Sequence, residues 1–426
     1  MNKNIASILL TAGSLQSLMR KPGCRRKVLS IFLVGACLMS GLFGFGSGVA
    51  GTVGAASMTS PDEFVRTEGT HFVLKGKRFN VAGVNNHYLT FGSRVEVTRV
   101  LDDAAAMGAN VIRIFIQPVI GSLDKHSIHT IWDRHKKTNS NDLGVHGTYI
   151  LFWNDKAGQM GINDGPDGLQ KLDWLLAEAD KRHLKLIIAF LDFWDYTGGI
   201  QQMRAWYGST DKNTFFFSDS RSLADYRRFV THVVTRTNVI TGRLYRDDSA
   251  IFAWELTNEA DIKPHDLMRR WIADMSTYVK SIDKNHLVAS GLANQGVGLS
   301  DIDITSLDFA TWHGYPKYLG ITPDAFTQKL NDYCAVAEKH GKPVLLEEFG
   351  LASSAGDQAA VYESWLETMA SNPNCAGWLI WRLVSKQDDG RYPTDEYDQF
   401  DVHNDSGATW NVLRNAAVAA TRDPPP

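Results

Sequence analysis

Cysteine and proline are scarce in this chain, and no internal repeat or low-complexity stretch interrupts residues 57–426. The 426 residues include only 4 Cys and 13 Pro, while hydrophobic residues make up 44% and charged residues 21%. These proportions are typical of a folded globular protein. They exclude a disordered chain, a collagen-like fibre and a membrane protein with several spans.

The chain also has no excess of positive charge. Its formal net charge is −3, but the first 56 residues hold six basic side chains and no acidic ones. The remaining residues carry 38 Lys and Arg against 47 Asp and Glu, a net charge of −9. Because a nucleic-acid-binding surface needs clustered positive charge, no nucleic acid is expected as a partner.

Residues 1–56 have the pattern of a targeting segment. A basic stretch, 20–27, precedes an apolar run, 28–45, and small residues follow that run. This order predicts a signal peptide cleaved near Ala55. The protein is therefore expected to be secreted or periplasmic, with no stable membrane partner after cleavage. An uncleaved anchor, a twin-arginine signal and a lipoprotein site at Cys37 remain open alternatives.

Two cysteines remain after the predicted leader, Cys334 and Cys375. Export to an oxidising compartment permits a disulfide between them. Two separate buried thiols are equally compatible with the sequence, because spacing along the chain does not place the Cα atoms within bonding reach. Neither cysteine has the neighbours of a nucleophile.

Short apolar runs of strand character alternate with amphipathic helical patterns after the leader. This alternation predicts parallel strands joined by right-handed helical crossovers. The runs are 79–84, 110–115, 184–190, 250–256, 287–290, 309–312, 343–346 and 376–380. Helices are predicted over 169–182, 222–241, 267–282, 324–340 and 358–370. We therefore predict an α/β fold over residues 57–426, a single-domain (β/α)8 TIM barrel with long βα loops. A doubly wound open sheet is the alternative.

Polar and aromatic residues end nearly every predicted strand. Among them are Asn85, Arg113, Asp192, Trp194, Asn258, Glu259, His313, Tyr315, Glu348 and Trp381. In a barrel, the carboxyl ends of the strands converge on one face, where catalysis takes place. These side chains are therefore predicted to share one site.

Two of these residues, Glu259 and Glu348, carry the chemistry that we expect. They are far apart in sequence but end the fourth and seventh predicted strands. Two facing carboxyl groups suit glycoside hydrolysis, in which one donates a proton to the leaving oxygen and the other attacks the anomeric carbon. A lone glutamate is usually solvated, but this pair occupies the catalytic end of a predicted barrel.

The chain resembles glycoside hydrolase family 5, and within it the endo-β-1,4-mannanases. Residues 254–259 (WELTNE) are similar to the acid/base motif of that family, and residues 342–350 (KPVLLEEFG) to its nucleophile motif. Residues 110–113 (NVIR) and 308–316 (DFATWHGYP) match its strand-two arginine and its His-x-Tyr segment. The resemblance extends from about residue 64 to residue 414.

The resemblance implies catalytic roles for two glutamates. Glu259 would be the general acid/base and Glu348 the nucleophile. Adjacent strand residues point to opposite sides, so only one of Glu347 and Glu348 should face the site. Arg113 would lie beside the nucleophile and keep it ionised, and Tyr315 would donate a hydrogen bond to it.

The resemblance also implies a set of sugar-binding residues. Asn258 would hydrogen-bond the sugar 2-hydroxyl, and His313 would help to bind the sugar. Trp381 would form a stacking floor under the reacting ring. Asp192 and Trp194, at the end of the third strand, complete the predicted site.

Purely structural roles are open for several of these residues. Arg113 could serve only to pair with Glu255 inside the barrel. Trp381 and His313 fit interior positions equally well, and Asn258 fits the cap of the following helix. The full set in one order favours the catalytic interpretation.

Three features depart from the family pattern. Ala260 stands where the mannanases usually have Pro, Asp192 where Asn is common, and Trp312 is bulkier than usual. Residues 117–165, which include Trp132 and Trp153, form a segment long enough to close one end of the cleft. These features bear on the substrate rather than on the class of reaction.

We expect a polysaccharide or oligosaccharide substrate, a monomer, and no metal or organic cofactor. His126, His129 and His135 are expected to lie on a solvated loop rather than in a metal site. The alternatives are a related enzyme acting on β-glucan, an exo-acting β-mannosidase, and an inactive carbohydrate-binding barrel.

Overall fold

The structure is a computed structural model, and it describes residues 60–124, 126–131, 145–295, 299–393 and 398–422. These residues belong to one compact unit. The predicted leader lies outside the described residues, as do Trp132 and His135. No helix within the described part of the chain is both long and apolar enough to cross a membrane.

A small antiparallel sheet precedes the barrel strands in the described residues and covers one end of the barrel. Its strands are β1 (Arg66–Glu68), β2 (His71–Leu74) and β3 (Lys77–Arg78). Phe72 of β2 is fully buried and packs edge-on against Phe252 and Phe309, with ring centroids 5.0 and 5.2 Å away. The first residues of the barrel strands thereby enclose an apolar interior away from the predicted site.

Eight parallel strands form the barrel, and all eight predicted strands are confirmed. They are β4 (Val81–Asn85), β5 (Val111–Phe115), β9 (Lys185–Ala189), β10 (Ile251–Glu255), β11 (Leu287–Ala289), β12 (Ala310–Gly314), β13 (Val344–Phe349) and β14 (Gly377–Ile380). The order in the sheet is β11-β10-β9-β5-β4-β14-β13-β12, and each neighbouring pair is parallel. The doubly wound alternative is wrong, because the order follows the chain around a ring.

Hydrogen bonds outside a regular ladder close the gap between β11 and β12. The backbone N–H of Asp308 donates to the carbonyl of Val288 at 2.9 Å, and that of His313 donates to Ala293 at 2.7 Å. The hydroxyl of Thr311 also donates to the carbonyl of Leu292 at 3.0 Å. The eight strands therefore make a nearly closed cylinder.

Helices pack around this cylinder. The described helices are α1 (Arg94–Met107), α2 (Gln170–Lys181), α3 (Gly199–Trp206), α4 (Phe215–Ser218), α5 (Ser220–Val234), α6 (His265–Ile282), α7 (Pro316–Leu319), α8 (Pro323–His340), α9 (Gln358–Ser371) and α10 (Ala408–Thr421). Their apolar faces and the outward faces of the strands form the larger of two hydrophobic cores. The five predicted helices are all present.

One predicted helix is shorter than expected. We expected residues 222–241 to be helical, but α5 ends at Val234. The side-chain oxygen of Asn238 accepts hydrogen bonds from the backbone N–H groups of Ile240 and Thr241. Such local side-chain bonds compete with the helical ladder and favour a turn.

The long segment after β5 has its own small sheet. It consists of β6 (Val119–Ser122), β7 (Leu151–Asn154) and β8 (Gln159–Ile162). Trp153 of β7 lies 6.2 Å from Trp206 of α3, centroid to centroid. The small sheet therefore packs against α3 at the side of the barrel.

A disulfide joins Cys334 to Cys375. It links α8 to the segment just before β14, with the two Cα atoms 4.9 Å apart. The alternative of two separate thiols is therefore wrong. The barrel brings these residues together although 41 positions separate them.

Candidate active site

Glu259 lies in a turn just past the carboxyl end of β10. Its backbone has a φ of +51°, in the left-handed region that non-glycine residues rarely adopt. Strained backbone of this kind is common at functional sites. Its Oε1 lies 2.6 Å from Nδ1 of His313, and its Oε2 accepts a hydrogen bond of 2.7 Å from the indole of Trp194.

Glu348 lies in β13, across the mouth of the barrel from Glu259. Its Oε1 accepts a hydrogen bond of 2.6 Å from the guanidinium of Arg113. Its Oε2 accepts one of 2.6 Å from the hydroxyl of Tyr315. Only 3% of the residue surface is exposed, so these charge-assisted bonds form in a site that is shielded from water.

The spacing of the two carboxyl groups discriminates between reaction types. One ligand oxygen of Glu259, one of Glu348 and a ring nitrogen of His313 all lie within 4.8 Å of one another. Retaining glycosidases hold their carboxyl groups about 5–5.5 Å apart, whereas inverting enzymes hold them about 6.5–9.5 Å apart. The short separation is closer to the range of the retaining enzymes than to that of the inverting ones.

Arg113 organises the base of the site from β5. Its Nη2 donates to Oδ1 of Asn258 at 2.8 Å, and its Nε donates to Oε2 of Glu255 at 2.8 Å. The guanidinium also lies 4.8 Å from the ring centroid of Phe115. Arg113 therefore pairs with Glu255 and with Glu348, and the expectation that it might pair with Glu255 alone is wrong.

His313 lies between carboxyl groups on both sides of its ring. Nδ1 is 2.6 Å from Glu259, and Nε2 is 3.2 Å from Glu347. Burial opposes the charged form, but the negative charges of Glu348, Glu259 and Glu347 outweigh it and raise the pKa of His313 to about 10. His313 is therefore an imidazolium at neutral pH, with both ring nitrogens acting as donors.

The two central carboxyl groups respond differently to this environment. Burial favours the neutral form of Glu259, but hydrogen bonds from His313 and Trp194 outweigh it and lower its pKa. Burial raises the pKa of Glu348, and the nearby charge of Glu259 adds to this effect against His313, Arg113 and Tyr315. Glu259 is thus held in its ionised form while Trp194 contacts it.

Known proteins provide a second line of comparison. The family described as GH family 5 beta-mannosidase-like matches residues 162–372. The chain is 31% identical to the "Mannan endo-1,4-beta-mannosidase A" of Aspergillus aculeatus over 355 residues, which cover 78% of this chain and 85% of the relative. It is 30% identical to the "Probable mannan endo-1,4-beta-mannosidase A" of Aspergillus flavus, over 79% of this chain and 83% of the relative.

The chain belongs to glycoside hydrolase family 5. Among solved structures, it is similar to the endo-1,4-beta-mannanase of Rhizomucor miehei with a TM-score of 0.71 and 26% identity. That similarity covers 84% of this chain and 99% of the fungal one. The predicted barrel and the predicted family are confirmed.

The end of β9 contributes two residues to this family 5 site. Oδ1 of Asp192 accepts hydrogen bonds from the side chain of Asn258 at 2.9 Å and from the backbone of Trp194 at 3.1 Å. Burial raises the pKa of Asp192 to about 7, in spite of those two bonds. Trp194 is 42% exposed, so its ring faces the cleft while its N–H contacts Glu259.

Trp381 occupies a different part of the site. It follows β14, is half-buried, and its ring lies 6.1 Å from Phe115, edge-on. Phe115 in turn lies against Arg113. Trp381 is therefore connected to Arg113 through the ring of Phe115.

One expectation about the nucleophile strand is wrong. Strand alternation predicted that only one of Glu347 and Glu348 would face the site, yet both contact Arg113, at 3.4 and 2.6 Å. The register of β13 shifts against both β12 and β14 at this point. Such an irregularity re-aims side chains and breaks the two-residue alternation.

Asn85 was predicted to lie at the site from its position at the end of its strand, but no role was assigned to it. Its Oδ1 lies 3.3 Å from Arg113, and its amide donates to the carbonyl of Glu347 at 2.8 Å. Glu255 was considered only as a structural partner of Arg113. Glu347 was given no role, because the motif selected Glu348 instead.

Glu259, His313 and Glu348 lie close enough together to hold a metal ion. Each of the three already has a charged or hydrogen-bonding partner in the protein. The expectation that no metal takes part stays a prediction.

Proposed function

We propose that this protein is a secreted, retaining glycoside hydrolase that cleaves β-1,4-mannosidic bonds in mannan, galactomannan or glucomannan. The spacing of Glu259 and Glu348, with oxygens within 4.8 Å, carries the proposal for the mechanism. The names of the relatives, mannan endo-1,4-beta-mannosidases at about 30% identity, support the substrate.

In the first step, Glu348 attacks the anomeric carbon and a covalent glycosyl-enzyme forms. The bond from that carbon to the glycosidic oxygen breaks, and Glu259 gives its proton to the leaving oxygen. Arg113 and Tyr315 hold the attacking carboxylate in place through two hydrogen bonds of 2.6 Å. Positioning of this kind lowers the barrier because less freedom is lost in the transition state.

In the second step, water replaces the leaving group. Glu259, now ionised, takes a proton from the water as it attacks the anomeric carbon, and Glu348 leaves as a carboxylate. The imidazolium of His313 stabilises the ionised form of Glu259 at this stage. The sugar is released with its original anomeric configuration.

Substrate entry has to prepare Glu259 for its role as an acid. Its Oε2 is occupied by the indole of Trp194, and its pKa is lowered in the free site. The glycosidic oxygen must reach this carboxyl group, so we propose that the bound sugar displaces the Trp194 bond. Loss of that donor raises the pKa and favours the protonated form.

The remaining site residues bind the sugar. Asn258, held between Arg113 and Asp192, presents its side chain to the 2-hydroxyl. Trp381 provides the stacking surface, and Trp194 forms the wall beside the leaving group. Each assignment follows the matching position in the family motif.

The segment 117–165 motivates a second candidate, an exo-acting enzyme that removes single sugars. Its sheet β6–β8 places Trp153 beside Trp206, at the side of the barrel mouth. A wall in this position would turn an open groove into a pocket. A β-glucan substrate is the other alternative, because Asp192, which stands where Asn is common, bears on how the sugar is held.

A panel of polysaccharides tests these candidates. We expect new reducing ends from galactomannan and none from carboxymethylcellulose, with oligosaccharides as the first products. Mannose as the sole product would contradict endo action, and cleavage of carboxymethylcellulose would contradict mannan specificity. Tight binding of galactomannan without any product would instead identify an inactive binding barrel.

Two further properties belong to this proposal. The leader pattern supports export, and the first residue of the mature secreted protein should then lie near position 56. A mature chain that begins at residue 1 would contradict export by cleavage. Sedimentation analysis should give the mass of one chain if the protein is a monomer.

A further inference from the structure

Two glutamates lie beneath the catalytic pair and take no part in the proposed steps. Glu255 of β10 and Glu347 of β13 have no exposed side-chain surface. Arg113 lies between them, with its Nε 2.8 Å from Oε2 of Glu255 and 3.4 Å from Oε2 of Glu347. His313 Nε2 lies 3.2 Å from that same oxygen of Glu347.

The second oxygen of each carboxyl group is unexplained by these contacts. Oε1 of Glu255 and Oε1 of Glu347 are both buried, and neither receives a hydrogen bond from a donor in the protein. Buried carboxylate oxygens are normally satisfied, because an unpaired one loses its hydration without compensation. The two carboxyl groups contact each other within hydrogen-bonding reach. Two acceptors can bond only if one of them carries a proton.

The charges around Arg113 and His313 lead to the same conclusion. The carboxyl groups that contact them are those of Glu255, Glu259, Glu347 and Glu348. If all were ionised, this enclosed group would contain two more negative than positive charges. One bound proton halves that excess and also supplies the missing hydrogen bond.

We propose that Glu255 and Glu347 hold one proton between their Oε1 atoms and act as positioning residues for Arg113. With a single negative charge beneath it, the guanidinium keeps its Nη1 bond to Glu348 instead of being drawn into the barrel. The shared proton rests on the two buried oxygens without donors and on the contact between the carboxyl groups, whereas its benefit to Glu348 rests on the proposed function.

The electrostatic environment places the proton on one member of the pair. Burial, together with the charge of Glu347, raises the pKa of Glu255 far above its usual value, against the opposing effect of Arg113. Burial also acts on Glu347, but Arg113 and His313 outweigh it and lower its pKa. The other titratable groups that face this cluster are Glu259, Glu348, Asp192 and Tyr315.

Infrared difference spectroscopy of the intact protein tests the shared proton without any substrate. A protonated carboxyl group has a carbonyl stretch distinct from the bands of a carboxylate. At neutral pH, wild type minus Glu255→Gln should show the carboxylic-acid band. Glu96→Gln is the matched control, because Glu96 is also buried but its side-chain oxygen accepts a capping hydrogen bond from the backbone of Ser93 at the start of α1. If both differences contain carboxylate bands alone, no proton is shared.

Proton uptake on folding provides a second measurement. The native state should hold one proton that the unfolded chain releases above its ordinary glutamate pKa. From the pH dependence of unfolding between about pH 5.5 and 7, both Glu255→Gln and Glu347→Gln should take up about one proton fewer than wild type. Glu96→Gln should match wild type. Equal uptake in all four proteins would overturn the proposal.

Kinetics separate a positioning role from simple support of the fold. Glu255→Ala should lower kcat by about 100-fold or more. The kcat of Glu255→Gln should be at least about tenfold higher than that of Glu255→Ala, because the glutamine amide can donate to Glu347. Equal rates for the two variants would exclude positioning. If the carboxylic-acid band is present but the protein has no activity, the proposed function is refuted and the proposal of a shared proton still holds.

Discussion

The indole N–H of Trp194 donates a hydrogen bond of 2.7 Å to Oε2 of Glu259, the acid/base candidate. Trp194 follows β9, whereas Glu259 follows β10. Because Trp194 is 42% exposed, we expect an entering sugar to contact it first. The contact stabilises the ionised carboxylate, which cannot donate a proton. We therefore expect Trp194 to connect sugar binding to the protonation of Glu259.

Trp194→Phe should shift the alkaline limb of the kcat/KM profile to higher pH. The variant loses a donor that favours the ionised form, so the pKa of Glu259 rises. The profile is measured on a soluble mannooligosaccharide. Trp174→Phe, at a half-buried position on α2, should leave the limb where it is. An unshifted limb in Trp194→Phe would show that the bond has no influence on the acid.

Glu348→Ala and Glu259→Ala should each lower kcat on mannan by at least about 10³-fold. The first variant loses the nucleophile and the second loses the acid/base. The two variants should differ on aryl mannosides with good leaving groups. Glu259→Ala should retain much of the first step, since such a leaving group needs no proton, whereas Glu348→Ala should not. Glu363→Ala on the exposed face of α9 is the control. Near-native rates in either variant would refute the assignment.

Tyr315→Phe should lower kcat/KM by about 10–100-fold, because a hydrogen bond to a charged group is worth about 1.5–3 kcal/mol. The lost bond, 2.6 Å from the hydroxyl to Glu348, favours the ionised form. The pKa of Glu348 should rise, and the acidic limb of the profile should move to higher pH. Tyr392→Phe, whose hydroxyl contacts Asn404 and Asp405, is a matched control. An unchanged acidic limb would contradict this coupling.

Asp192→Asn should make stability less dependent on pH. Burial raises the pKa of Asp192 to about 7 in the folded protein, above its ordinary value. Such a group stabilises the fold fully below its unfolded pKa and loses that contribution as the pH rises through the folded pKa. The Tm of the variant minus that of wild type should therefore be more positive at pH 8 than at about pH 4. The same difference at both pH values would refute the shift.

Replacing both disulfide cysteines, Cys334 and Cys375, by serine should lower the free energy of unfolding by about 2–4 kcal/mol. The bond joins two residues that are 41 positions apart and so restricts the unfolded chain. Urea titrations of the oxidised wild type, the reduced wild type and the variant measure the effect. The reduced wild type and the variant should have the same free energy of unfolding. A wild-type protein that is insensitive to reductant would indicate that the bond does not form.

The sequence was sufficient to predict the order of strands and helices. Apolar runs with polar ends identify β4 and β13 because their hydrophobic pattern depends on local residue order alone. Glu259 and Glu348 were found for the same reason, since each follows such a run in a motif. The end of α5 was misplaced, because the side-chain bonds of Asn238 compete with the helix at a point that periodicity does not mark.

Only the tertiary structure decided which groups interact. Residue order could not show that Glu255 and Glu347 meet under Arg113, because three different strands supply them and the register shift in β13 aims Glu347 inward. The pairing of Cys334 with Cys375 was open for the same reason. Hydrophobic periodicity is a local property that a sequence records directly. Protonation and pairing depend on distances of a few ångströms between remote segments, and these exist only once the barrel has closed.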